Sequence, residues 1–210
     1  MNRQTRIINK IIEMYPDAKC ELDFMDPFQL LIATMLSAQT TDKQVNKVTV
    51  NLFRDFSTPE LLSKADPETV KSYINSLGFF NTKAENIINT SRLLVEKHQG
   101  IVPGNMEELT KLPGVGRKTA NVVLSNAFDV PAFAVDTHVK RVCYRLGLTK
   151  NTDPDKVEKD ITAKIPKKLY NKAHHALIFH GRRTCRATRP FCHLCELMTD
   201  CPHYGKMIKV

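Results

Sequence analysis

Residues 112 to 136 constrain the fold more than any other stretch of the chain. They read Leu112-Pro113-Gly114-Val115-Gly116-Arg117-Lys118-Thr119-Ala120-Asn121, then an apolar run to Phe128, then Val130-Pro131-Ala132-Phe133-Ala134-Val135-Asp136. A short helix over Met106 to Lys111 meets two glycines, and a second helix starts at once. Glycine accepts the positive φ of a tight reversal and, lacking a Cβ, lets another backbone come close. The N–H groups of Gly114, Gly116 and the next helical turn then point outward, where the helix dipole also favours an anion. A phosphate suits such a site. Lys118 follows the second glycine by two residues and Asp136 comes eighteen later, so an amine and a carboxylate accompany a phosphate grip. That combination points to chemistry on DNA. A helical hairpin in which Lys118 only touches phosphate would show the same Gly-x-Gly, and the rest of the chain has to decide between them.

At 210 residues the chain can form one large or two small domains with a sizeable core. Lys plus Arg is 31 against 22 for Asp plus Glu, a net charge of +9 and a pI near 9.3. That balance favours a polyanionic partner, although charge alone does not name one. No cationic segment leads into an apolar one at the N-terminus. The longest apolar stretch, Leu30 to Leu36, is broken by Thr34 and is far short of the roughly 20 residues of a membrane span. A soluble, cytoplasmic monomer with no membrane partner is expected.

Helical punctuation dominates the pattern, with no convincing strand alternation. Ile7, Ile8, Ile11, Ile12 and Tyr15 share one helical face that Pro16 stops. Asp26-Pro27 supplies an N-cap and a first-turn proline for an apolar helix over Phe28 to Ser37. The same device recurs at Thr58-Pro59, Asp66-Pro67 and Asp153-Pro154. A helix after Asp42 should turn Val45, Val48, Leu52 and Phe53 inward. Gly78 is expected to close the helix that holds Val70, Tyr73, Ile74 and Leu77, and Thr82 with Glu85 to form a capping box for the next. Further helices are expected over 137–146, 154–164 and 167–180, with Gly181 ending the last. The expectation is an all-α protein without linker or repeat.

Of six cysteines, Cys20 and Cys143 stand alone and read as buried apolar fillers. The others, Cys185, Cys192, Cys195 and Cys201, follow C-x6-C-x2-C-x5-C. In a reducing compartment such a group holds metal sooner than disulfides. Structural zinc usually takes two close pairs, whereas only Cys192 and Cys195 are close here. The spacing therefore favours a 4Fe-4S cluster and leaves zinc open. Arg182, Arg183, Arg186, Arg189 and His193 surround it and could hold phosphate. A structural role is expected, since all four ligands come from the protein.

The hairpin, the run Val135-Asp136-Thr137-His138 and the cysteine spacing occur in one order. Together with Leu36-Ser37-Ala38-Gln39-Thr40-Thr41-Asp42 and Asn81-Thr82-Lys83-Ala84-Glu85-Asn86-Ile87-Ile88, they resemble the endonuclease III family of helix-hairpin-helix DNA glycosylases and apurinic/apyrimidinic lyases over essentially the whole chain. The resemblance implies two helical lobes with the DNA in a cleft between them. One lobe would span residues 20–130 and carry the hairpin; the other would combine 1–19 with 131–210 and carry one 4Fe-4S cluster on the four cysteines. It further implies Lys118 as nucleophile, Asp136 as the essential carboxylate, and duplex DNA with oxidised pyrimidines or abasic sites as substrate.

The chemistry agrees. Attack by an amine at C1′ of the deoxyribose gives a Schiff base, which acidifies the C2′ proton and permits β-elimination of the 3′ phosphate. A water nucleophile would leave the abasic site intact, so Lys118 implies a bifunctional enzyme. Amines of lysine are protonated at neutral pH in water, so partial burial and the positive end of the helix are the expected levers that favour the free form. Asp136 has a competing reading as the N-cap of the helix that begins at Thr137, a role compatible with the favoured one in catalysis. His138 reads as a helix-face residue or a phosphate contact.

An extruded base leaves a gap. Gln39 resembles the family residue that enters the space opposite the lesion, and Phe79 stands where the family places an apolar wedge, often Leu. Core packing is the competing reading of Phe79 and Phe80. Gly114, Val115, Gly116, Arg117 and Thr119 complete the candidate DNA contacts. Rival functions are an adenine glycosylase, disfavoured by Lys118 and by the end of the sequence at Val210, a non-catalytic DNA-binding module, and a zinc-stapled adaptor.

Overall fold

Helix starts in this chain are set by short side chains that cap and by prolines that cannot donate. The computed structural model, which describes residues 1–207, places a helix after every such pair. In chain order these are α1 (Arg3–Met14), α2 (Pro27–Leu36), α3 (Asp42–Asp55), α4 (Pro59–Ser63), α5 (Pro67–Ile74), α6 (Phe80–His98), α7 (Met106–Thr110), α8 (Arg117–Ala127), α9 (Thr137–Arg145), α10 (Pro154–Thr162), α11 (Tyr170–Arg183) and α12 (Pro202–Met207). Short 3-10 turns occupy Lys167–Leu169 and Cys192–Leu194, and no strand occurs among the described residues. Residues 208–210, the end of the expected second lobe, lie outside the described residues. Asp26 accepts from the Gln29 N–H at 2.8 Å, Asp66 from Thr69 at 2.8 Å and Asp153 from Lys156 at 3.0 Å. Each such cap stabilises its helix by about 1 kcal/mol.

The chain divides into two compact units, Glu21–Val130 and Met1–Cys20 with Pro131–Val210. In the first, α2 is the centre: every residue from Phe28 to Leu36 is buried, as an apolar surface all round the helix requires. It packs on α3, α6 and α8, while α4 and α5 pack on α6 and α7 on α8. Val45, Val48 and Leu52 of α3 turn inward and Phe53 stays half-buried. In the second unit, Ile7, Ile8 and Ile11 of α1 meet Val139, Val142 and Cys143 of α9 and Ala173 and Leu177 of α11 in one core, with Phe133 and Leu148 from the loops.

Three local expectations are corrected. The reversal before α6 falls on Phe79, with φ 57°, and not on Gly78; α6 begins at Phe80, so Thr82 lies inside it and caps nothing. Burial of Leu77 on one side and of Lys83 and Ala84 on the other sets the register that leaves Phe79 outside. Gly181 does not end α11, which runs to Arg183. A Cβ there would come within 3.0 Å of the His138 Cβ and 3.3 Å of Val142, so this glycine permits α9 and α11 to approach. Cys143 is fully buried, but Cys20 is only half-buried.

Candidate active site

The hairpin is held from inside and left open outside. Leu112 and Val115 are buried, and the Val115 N–H donates to the Leu112 carbonyl at 3.1 Å. Val115 therefore anchors the turn with both its side chain and its amide. Gly114 has φ +73°, and a Cβ on it would stand 2.8 Å from Nδ2 and 3.0 Å from Cγ of Asn86. Thr90 donates through its hydroxyl to the Pro113 carbonyl at 2.9 Å. The fold thus demands the first glycine. Gly116 is different: its φ is −87°, and a Cβ on it would meet nothing within 4 Å. No side chain caps the first turn of α8, and no acidic residue lies in it. An uncapped positive helix end with no side chain in front of it is open to an oxyanion.

Lys118 is the second residue of α8 and is exposed, as are Gly116 and Arg117, while Thr119 is half-buried. The partial burial expected for the amine is absent, because α8 buries the face of Ala120, Val123 and Leu124, and Lys118 falls on the other side.

Asp136 is the N-cap of α9, accepting from the Val139 N–H at 2.7 Å, and is half-buried. Ala132 to Val135 before it are buried, and buried His174 of α11 donates through Nδ1 to the Ala134 carbonyl at 2.8 Å. Since a carbonyl can only accept, this fixes the proton on Nδ1. His138 accepts at Nδ1 from Arg141 at 3.2 Å, which places it on the helix face.

Gln39 lies in the turn between α2 and α3 with φ 54°, and Phe79 precedes α6. Both are exposed, Phe79 at 67% of its surface, so core packing does not explain Phe79. A left-handed conformation is uncommon for residues with a Cβ and costs about 1 kcal/mol or more. The sequence reading overlooked Lys83, which is buried and donates to the Thr40 hydroxyl at 2.9 Å, and His174. A lysine at an inward register of a helix is the signal for the first; nothing in the sequence pairs His174 with Ala134.

All four C-terminal cysteines line one pocket together with His180, Thr184, Met198 and Tyr204, and none forms a disulfide. Among the described residues, no three His, Cys, Asp or Glu side chains are placed to hold a single metal ion. Burial first, then the other cysteines, pushes the Cys192 and Cys195 thiols up. A polynuclear group fits this donor set better than one zinc ion, which needs its ligands within about 2.3 Å of one centre.

Arginines hold the loop. Arg145 donates to the Arg186 carbonyl at 2.6 Å, the Ala187 carbonyl at 3.0 Å and the Cys185 Sγ at 3.6 Å. Arg141 donates to the carbonyls of Gly181 at 2.9 Å and Cys185 at 3.2 Å. From α1, Arg6 pairs with both oxygens of Asp200, and Lys10 with Glu196. Arg183 stacks on Phe179 and Arg186 on Phe191, so these two cations of the expected phosphate set lie on aromatic rings.

Known proteins are similar to this chain in sequence and in fold. Residues 32–167 match the HhH-GPD superfamily of base excision DNA repair proteins. The chain is 46% identical over 209 residues to endonuclease III of Rickettsia felis, covering 98% of each. It is 48% identical over 201 residues to that of Synechocystis sp., covering 95% of this chain and 92% of the other. A solved trapped endonuclease III–DNA covalent intermediate is similar with a TM-score of 0.94 at 45% identity, covering 99% of this chain and 100% of that one. With the hairpin, the capped aspartate and the cysteine loop all in place, the chain belongs to the endonuclease III family of HhH-GPD base excision DNA repair proteins.

Proposed function

We propose that Lys118 is the nucleophile of a bifunctional DNA glycosylase and apurinic/apyrimidinic lyase that removes oxidised pyrimidines from duplex DNA. The observation that carries this reading is the amine in the first, uncapped turn of α8, next to a glycine that no neighbour in the protein requires. A backbone phosphate at that helix end brings a deoxyribose to the lysine. The amine bonds to C1′ as the glycosidic C–N bond breaks and the base leaves with a proton. The nitrogen then loses a proton, and the C1′–O4′ bond breaks with O4′ taking up a proton, which opens the sugar ring and gives the Schiff base. Removal of a C2′ proton then expels the 3′ phosphate, and hydrolysis of the imine frees Lys118. Asp136, whose oxygen is oriented by the Val139 amide, supplies the anion that stabilises positive charge developing on the sugar. That a relative 45% identical has been trapped as a covalent intermediate with DNA supports the same reading.

Arg117, Thr119 and the amides around Gly114 and Gly116 grip phosphate; Gln39 and Phe79 fill the space left by the extruded base. Cys185, Cys192, Cys195 and Cys201 hold one 4Fe-4S cluster, which when bound fixes the loop by ligation. The enzyme acts as a monomer in the cytoplasm, on the chromosome.

Incubation with a duplex containing thymine glycol tests the reaction. The expected product is a strand cut 3′ to the lesion that ends in an unsaturated aldehyde, together with the free base. An intact abasic strand would contradict it. Iron and sulfide analysis tests the loop, and stoichiometric zinc without iron would overturn the cluster.

A further inference from the structure

A lysine in the interior of the Glu21–Val130 unit has no role in the reaction just described. Lys83 is buried at 7% exposure, and its amine makes a hydrogen bond to the Thr40 hydroxyl at 2.9 Å with no carboxylate paired to it among the described residues. Burial pushes this amine below the ordinary lysine range, because the charged form loses its water. An apolar chain of the same length would be less costly to bury. The fold alone therefore does not explain the residue.

Its partner does. Thr40 directs its own hydroxyl to the Ala38 carbonyl at 3.3 Å, which leaves a lone pair to receive Lys83. The two bonds bracket Gln39, the left-handed residue between them. Lys83 stands one helical turn after Phe79, and its N–H donates to the Phe79 carbonyl at 3.0 Å. A second tie runs in parallel, from the Gln44 side chain to the Ser76 hydroxyl at 2.9 Å. Farther along the same face of α6 come Asn86, packed against Gly114, and Thr90, bonded to Pro113. Positions 79, 83, 86 and 90 follow one helical stripe, about 16 Å long at 1.5 Å per residue. One face of one helix thus sets the spacing of three turns: the Phe79 turn, the Gln39 turn and the hairpin.

We infer that Lys83 is a positioning residue that locks the Gln39 turn to the Phe79 turn, so that both enter the base stack as one preformed unit; this rests on the proposed roles of Gln39 and Phe79. The cost of the buried amine and of two left-handed residues is borne before DNA arrives. Neither turn then has to be ordered at the moment the base is extruded.

The test is single-turnover excision of thymine glycol from two duplexes, one with adenine opposite the lesion and one with a tetrahydrofuran spacer there. The spacer removes the orphan base that a filling residue must face. Lys83→Met should lower excision from the paired duplex by about tenfold or more and from the spacer duplex by less than about threefold, without lowering the thermal midpoint. Thr40→Val removes the acceptor from the other side and should change the ratio in the same direction, and it carries the test alone if Lys83→Met does not fold. Equal losses on both duplexes with a lowered thermal midpoint would make Lys83 merely structural and overturn the inference, as would an unchanged ratio in both variants. Gln39→Ala, run alongside, separates the layers. If it leaves the ratio at the wild-type value, the filling role itself is wrong; if it alone changes the ratio, only the role of Lys83 falls.

Discussion

The hairpin and the cysteine loop are both irregular, basic segments, yet they use their polar groups in opposite ways. Around Cys185 to Cys201 the arginines point inward: Arg141 and Arg145 hold carbonyls, Arg183 and Arg186 lie on aromatic rings, and Arg6 reaches in from α1. Around Gly114 to Lys118 the buried groups only brace the turn, while the first turn of α8 has no side-chain cap and Lys118 is exposed. Charge of the same sign therefore means two things in one chain. In the loop it stabilises the protein against itself; at the hairpin it is available to a partner.

Breaking the loop should have the largest effect on stability. Cys192→Ser is expected to leave the purified protein nearly free of iron and to lower the thermal midpoint by on the order of 10 °C, since ligand binding here is folding free energy. Iron analysis and circular dichroism read both; a variant without iron but with wild-type melting would show that the arginines suffice.

Asp136→Asn sharpens the other side. Asparagine caps a helix about as well as aspartate, so stability should stay within about 1 kcal/mol of wild type, while excision should fall roughly 100-fold with the loss of the anion. A fall in melting with activity preserved would reduce Asp136 to a cap.

The two glycines test the hairpin alone. Gly114→Ala should cost about 1–3 kcal/mol, from positive φ and the clash with Asn86. Gly116→Ala should change stability by less than about 0.5 kcal/mol yet weaken DNA binding about tenfold, because its Cβ would stand before an uncapped helix end. Equal effects of the two on binding and melting would deny Gly116 a partner outside the protein. Arg145→Met should cost about 1–2 kcal/mol of stability for two lost carbonyl bonds and is expected to have the smallest effect on the reaction, with incision unaltered.

The features legible in the sequence are those whose cause is local. Asp26-Pro27 and Asp66-Pro67 announce helices because a cap needs only its next three residues, and the hairpin shows itself through two glycines and the apolar residues beside them. The register of α6 was hidden, because a phenylalanine takes the left-handed position that glycine usually fills, and it does so only because Leu77 and Ala84 are buried on either side. Gly181 looked like a helix end and is a packing position, since its reason lies on α9, at His138 and Val142. Lys118 was expected to be half-buried, and the face buried by α8 left it exposed. In each case the missing information was which face of a helix the fold buries.

Borohydride trapping on duplex DNA carrying thymine glycol, comparing the wild type with Lys118→Gln, tests the central claim most directly. The wild type should give a covalent protein–DNA complex, and the variant should give none while still binding the duplex within about tenfold, as expected for one lost phosphate contact. A complex that survives the substitution would place the reactive amine elsewhere and contradict the assignment of Lys118.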